Sequence, residues 1–186
     1  MEKPTTAKAL KEEGVRLFEE GLYEEAAAKF EQAQEMFAAE ENEIEAAEMV
    51  NNLGVIYRVE GDWDEAVAAL EEAKAAFVRL GDRSREAQTL GNLGGLYASK
   101  GERDKAKTCL RQAADIFAEL GDAQREGETL VELGKQQWKT GDRQGGLSTY
   151  ESGLYALKKL SAIQRTVRGL LGVRNRLLGG EKAAEE

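Results

Sequence analysis

A period of 40 residues runs through this chain and leaves few folds open to it. Gly14, Gly54, Gly94 and Gly134 stand 40 apart, and so do Gly21, Gly61, Gly101 and Gly141. Ala26, Ala66 and Ala106 recur at the same interval, with Gly146 in the fourth slot. Phe37, Phe77 and Phe117 are followed by Leu157, and Leu80, Leu120 and Leu160 also repeat. A fixed period of this length marks stacked supersecondary units, each burying its apolar face against its neighbour. Charged positions drift between copies because they face water.

Each copy reads as two antiparallel helices. Between Glu43 and Glu60 the apolar residues Ala46, Ala47, Val50, Leu53, Ile56 and Tyr57 fall on one helical stripe. Gly61 ends that helix, since glycine takes the left-handed conformation at little cost. Asp62 is placed to cap the next helix, expected from about 64 to 80 through Ala66, Val67, Leu70, Ala73 and Phe77. Gly54 and Ala66 are small because the two helices must approach closely. "LGD" at 80–82 and at 120–122 punctuates the pairs.

This skeleton resembles the tetratricopeptide repeat. The second copy carries Leu53, Gly54, Tyr57, Gly61, Ala66, Leu70 and Ala73, and the third carries Leu93, Gly94, Tyr97, Gly101, Ala106, Leu110 and Ala113. The first departs at Glu13, which replaces the Leu, and the fourth places Gly146 and Gly153 in Ala slots. The long period and the missing Pro are similar to the repeats of G-protein-regulator scaffolds, rapsyn and kinesin light chain. The resemblance implies an all-α, right-handed α-solenoid of four helical hairpins. We expect a single array over 1–178, with repeats at about 5–42, 43–82, 83–122 and 123–160. A capping helix over 161–178 would cover the open end with Ile163, Val167, Leu170, Leu171, Leu177 and Leu178, and 179–186 would form a flexible tail.

Composition narrows the function. The chain lacks histidine, so Ser–His and Cys–His nucleophile pairs and His-ligated metal sites are excluded. Cys109 shares its slot with Lys29, Ala69 and Thr149, a set that asks for no thiol. Adjacent glutamates such as Glu71 and Glu72 do not share a helix face. An enzyme is not expected, and no cofactor or metal is implied. Residues 1–50 hold 14 acidic and 5 basic side chains, whereas 151–186 hold 4 and 7, among them Lys158, Lys159, Arg165, Arg168, Arg174 and Arg176. The acidic body argues against nucleic acid as a partner. Short apolar runs and the absence of a signal-peptide pattern after Met1 lead us to expect no membrane span and a cytoplasmic location.

Binding remains. The resemblance places the first helix of each pair along a concave groove, and implies a non-enzymatic scaffold or adaptor holding an extended peptide or a partner helix there. Asn52 and Asn92 occupy equivalent slots, and an amide can bond both N–H and C=O of a peptide backbone. Asn51, Arg58, Lys135 and Trp138 are candidates for side-chain selectivity, although Trp138 could instead pack under the last helix. A two-carboxylate clamp of the chaperone-binding type is not matched, because Val15, Gln88 and Asn92 stand where it needs Asn, Lys and Arg. The alternative is a self-assembling structural scaffold, a homo-oligomer joined through its terminal repeats.

Overall fold

The computed structural model describes the backbone of residues 6–158 and 160–181, and side chains as far as Val173. Among these residues there are nine helices and no strand, which makes the fold an all-α helical-repeat solenoid. The helices are α1 (Ala7–Glu19), α2 (Tyr23–Ala39), α3 (Glu43–Glu60), α4 (Trp63–Leu80), α5 (Arg83–Ser99), α6 (Arg103–Glu119), α7 (Ala123–Lys139), α8 (Arg143–Ala156) and α9 (Ala162–Glu181). Backbone packing divides the chain into two compact units, Met1–Cys109 and Leu110–Glu186, with the division inside the continuous helix α6.

Glycine sets the junctions. Gly61, Gly81 and Gly121 are left-handed, with φ of 93°, 73° and 69°. At the first junction the same slot is Glu41, which adopts φ 56° without being glycine. Asn42, Asp82, Asp122 and Asp142 each accept a hydrogen bond on the side chain from a backbone N–H three residues on. Asp62 departs from the expectation. It is the N-cap residue of α4, but its side chain makes no capping bond.

The first unit packs side chain into glycine. A Cβ on Gly14 would lie 2.7 Å from the Phe30 ring, and one on Gly54 would lie 2.8 Å from Leu70. Around these contacts Leu10, Leu17, Phe30, Met49, Leu53 and Ile56 form one buried cluster, and Ala66, Leu70, Leu93 and Leu96 form another. Each cluster joins the second helix of one pair to the first helix of the next.

The second unit packs backbone on backbone. A Cβ on Gly134 would meet the Tyr150 amide nitrogen at 2.6 Å and the Gly146 carbonyl at 2.7 Å. A Cβ on either Gly127 or Gly153 would lie 2.8 Å from the other's carbonyl oxygen. Val131, Leu154, Leu157 and Leu171 make the local core, with Val167 and Leu160 packed against it.

Helix α9 covers the end only in part. Leu171 is buried, whereas Ile163 is 76% and Leu170 66% exposed, contrary to the covering role expected of both. The junction explains it. α8 stops at Ala156 and Leu157 is extended, while α4 continues to Leu80, the slot equivalent to Leu160. Ser161 stands where Gly81 and Gly121 turn the chain at internal junctions. α9 also runs to Glu181, past the boundary expected at 178. Lys159 and the side chains of Arg174, Arg176, Leu177 and Leu178 lie outside the described residues, as does 182–186.

Candidate functional site

In the first unit α1, α3 and α5 each turn one face toward a common groove. Val15, Phe18 and Phe30 line one side of it, Asn51, Asn52 and Val55 the middle, and Gln88 and Asn92 the other side, around a cavity of about 240 Å³. The lining is apolar at one wall and amide-bearing at the other. No acid or base contributes to it.

The three first helices are locked together beside this groove by charge. Lys11 on α1 contacts Glu45 at 2.8 Å and Glu48 at 2.7 Å, both on α3. Arg85 on α5 contacts the same two carboxylates at 3.0 and 2.7 Å, and Asp82 at 2.9 Å. Burial would raise the Glu48 carboxyl, but hydrogen bonds from Lys11 and Arg85 outweigh it and hold it below the ordinary carboxylate range. Burial would likewise lower the Lys11 ammonium, yet its bonds to Glu45 and Glu48 raise it. Lys11 and Arg85 are thus already committed and do not offer a free charge to a ligand.

The amides form a relay. Asn51 lies at the floor of the groove but is only 3% exposed, so it is not an open selectivity residue, which corrects that expectation. Its Oδ1 accepts from Asn92 Nδ2 and from Thr89 Oγ1, both at 3.0 Å, and its Nδ2 donates to Asn52 Oδ1 at 3.4 Å. The slot is interior because α5 packs over it, so a polar side chain there must find partners within the protein. The consequence lies at the surface. Asn52 has its oxygen turned inward and presents its NH₂ group, whereas Asn92 has its NH₂ turned inward and presents its oxygen. Both are half-buried.

Arg58 lies one helical turn beyond Val55. Its Nε is buried with no hydrogen-bond partner, and its Nη1 is 3.7 Å from where a Cβ on Gly95 would stand. Sequence reasoning missed Thr89, whose 1% exposure and bond to Asn51 make it part of the relay.

Lys135 and Trp138 belong to the second unit. There they line an apolar cleft of about 330 Å³ with Lys139, Leu147 and Tyr150 between α7 and α8. Trp138 is 51% exposed, so it is not core beneath α9, and the Arg143 guanidinium sits 5.9 Å from its ring centroid. Cys109 is half-buried against the Leu70–Leu93 cluster, and burial pushes its thiol up. No group of His, Cys, Asp and Glu among the described residues could hold a metal ion, and no described helix is long and apolar enough to cross a membrane.

Residues 45–119 match the family model described as tetratricopeptide repeat. No curated protein matches the chain. Among solved structures, BtubC (BKLC) from P. vanneervenii is 24% identical with a TM-score of 0.72, over 81% of this chain and 62% of that one. This chain therefore spans less than two thirds of BtubC. Nearly identical TPR-like repeats of a candidate kinesin light chain from Podosopora anserina are 20% identical with a TM-score of 0.71, over 100% of this chain and 92% of that one. These likenesses are likenesses of fold.

Proposed function

We propose that this chain, whose residues 45–119 match the tetratricopeptide-repeat family model, is a non-enzymatic protein-interaction scaffold whose first unit holds an extended peptide. The observation that carries the reading is the amide relay in the groove. Asn52 offers a donor and Asn92 an acceptor across one cavity, the complement of a peptide's C=O and N–H. Val15, Phe18 and Val55 supply an apolar wall for one ligand side chain. Arg58, half-buried one turn beyond Val55, is the cation nearest this wall for a charge-assisted bond to a ligand acid. Asn51 acts through the other two amides as a positioning residue. Because Lys11, Arg85 and the helices are held in place before binding, the receptor loses little entropy when the peptide arrives.

Repeats of this kind bind protein partners, and the groove geometry favours that class over a catalytic one. End-to-end self-assembly through the N-terminal pair is disfavoured by what α1 presents. The slots holding Met49, Leu53 and Ile56 in α3 hold Ala9, Glu13 and Arg16 in α1, and Glu13 pairs with Lys29 at 3.3 Å.

The test is affinity capture from host lysate with wild type and with Asn52→Ala/Asn92→Ala. The variant removes the Asn52 acceptor of the buried Asn51 Nδ2 while leaving Thr89 beside its oxygen, so circular dichroism and a melting curve check that the fold is kept before capture is compared. A partner held by wild type and lost by the variant supports the groove. The same proteins retained by both, or no protein but the chain itself, would overturn it.

A further inference from the structure

We propose that the apolar cleft between α7 and α8 is a docking slot for an acidic amphipathic helix of a partner protein. The repeat register supplies the shape argument. Trp138, Leu147 and Tyr150 occupy the slots of Phe18, Ala27 and Phe30 in the first pair, and the last two correspond to Val67 and Leu70 in the second. In both earlier pairs these slots pack in clusters with the helix that follows. They meet Met49, Leu53 and Ile56 of α3 in one case, and Leu93 and Leu96 of α5 in the other. In the second unit Leu147 and Tyr150 are half-buried against the local core, while Trp138 is 51% exposed and the three line an open cleft.

The next helix of the chain does not fill it in the repeat's manner. Leu170 and Val173 of α9 are the register equivalents of Leu90 and Leu93, which are buried, yet they are 66% and 50% exposed. The cleft is thus shaped for a helix face with apolar residues at i, i+3/4 and i+7, and among the described residues Leu170 and Val173 of α9 do not supply one.

Charge decides which helix. The cleft lining includes Lys135 and Lys139 and no acid, although Lys135 also contacts Glu132 at 3.1 Å. Arg143 rests on the exposed indole. An α9 from a second copy carries Arg165 and Arg168 and no acid between 162 and 173, so it would meet like charge. The α1 of a second copy would bring Glu13 and Arg16 into an apolar surface. A helix with an acidic polar face satisfies both the apolar floor and the cationic rim. α3 is the chain's own instance of such a helix, with four glutamates and one arginine between Glu43 and Glu60.

The experiment uses a synthetic peptide of the sequence Glu43–Glu60 as probe. The full chain carries Trp63→Phe, so that Trp138 is the only tryptophan. Saturable movement of Trp138 emission to shorter wavelength on titration supports the slot. The shift should be abolished by Leu147→Glu, and the exposed Lys139→Glu should weaken binding roughly tenfold at low salt if charge contributes as stated. A probe with its glutamates changed to lysine should bind more weakly than the original. Asn52→Ala/Asn92→Ala should leave the titration unchanged, which separates this site from the groove. Absence of a saturable shift, or equal binding by Leu147→Glu and Lys139→Glu, would overturn the proposal. So would a concentration-dependent doubling of mass that Leu147→Glu abolishes, since the cleft would then belong to a second copy.

Discussion

Glycine does three different jobs in this chain, and neighbouring atoms distinguish them. Gly91 has nothing within 4 Å of where a Cβ would stand, so there the residue only costs helix stability. Gly54 faces the flexible end of Leu70, whereas Gly134 faces backbone atoms of Tyr150 and Gly146 that cannot turn aside. We therefore expect opposite signs from one substitution. Gly91→Ala should stabilise by about 0.5–1 kcal/mol through helix propensity, and Gly134→Ala should destabilise by about 1–3 kcal/mol through overpacking. Urea denaturation of the two variants beside wild type measures both. The need for a small residue at 54, 66 and 134 was legible in the repeat. The switch from side-chain to backbone packing at 134 and 146 was not legible at one position, because it depends on glycine occurring on both helices.

At the scale of elements, helix bounds were read well where glycine follows a periodic stripe, as at Glu60–Gly61, and less well where a junction residue changes. Leu160 continues the repeat in sequence, but Ser161 lacks the left-handed turn, so α9 leaves the register although its apolar spacing persists. Asn51 was misread for a related reason. Its slot holds Lys11, Gly91 and Val131 elsewhere, and only the packing of α5 over α3 shows that it is interior at this repeat. The ion-pair network across α1, α3 and α5 carries a pH dependence with a definite sign. The Glu48 carboxyl is depressed in the fold, so its stabilising contribution is complete above its ordinary value of 4.5 and is lost as pH falls through the depressed one. Asp82 behaves in the same sense. Lys11 is raised, so its contribution holds below its ordinary 10.5 and is lost as pH rises through the raised value. Thermal melting of wild type from pH 6 down to about 3 should fall more steeply than that of Glu48→Gln.

For the molecule as a whole, the two ends of the repeat series differ in chemistry. The first pair presents Ala9, Glu13 and Arg16 where the second presents Met49, Leu53 and Ile56, so this face of α1 tolerates water. The C-terminal unit leaves Trp138, Ile163, Leu170 and Val173 exposed. Restoring the internal pattern at the first end tests this account. Glu13→Leu/Arg16→Ile should make the solution mass rise with concentration, measured by sedimentation equilibrium, while wild type at the same concentrations shows no association through that end. A surface of that kind would be sticky because its apolar area has no partner.

Asn51 has a consequence for how such a protein changes over time. It touches no ligand in the reading given above, yet it decides that Asn52 shows a donor and Asn92 an acceptor. A single residue change there, to leucine, would release both rim amides at once and let each rotate, whereas aspartate would keep accepting from Asn92 and release Asn52 alone. The groove's recognition pattern could then be rewritten in one step from inside the fold, while every residue on its visible surface stayed the same.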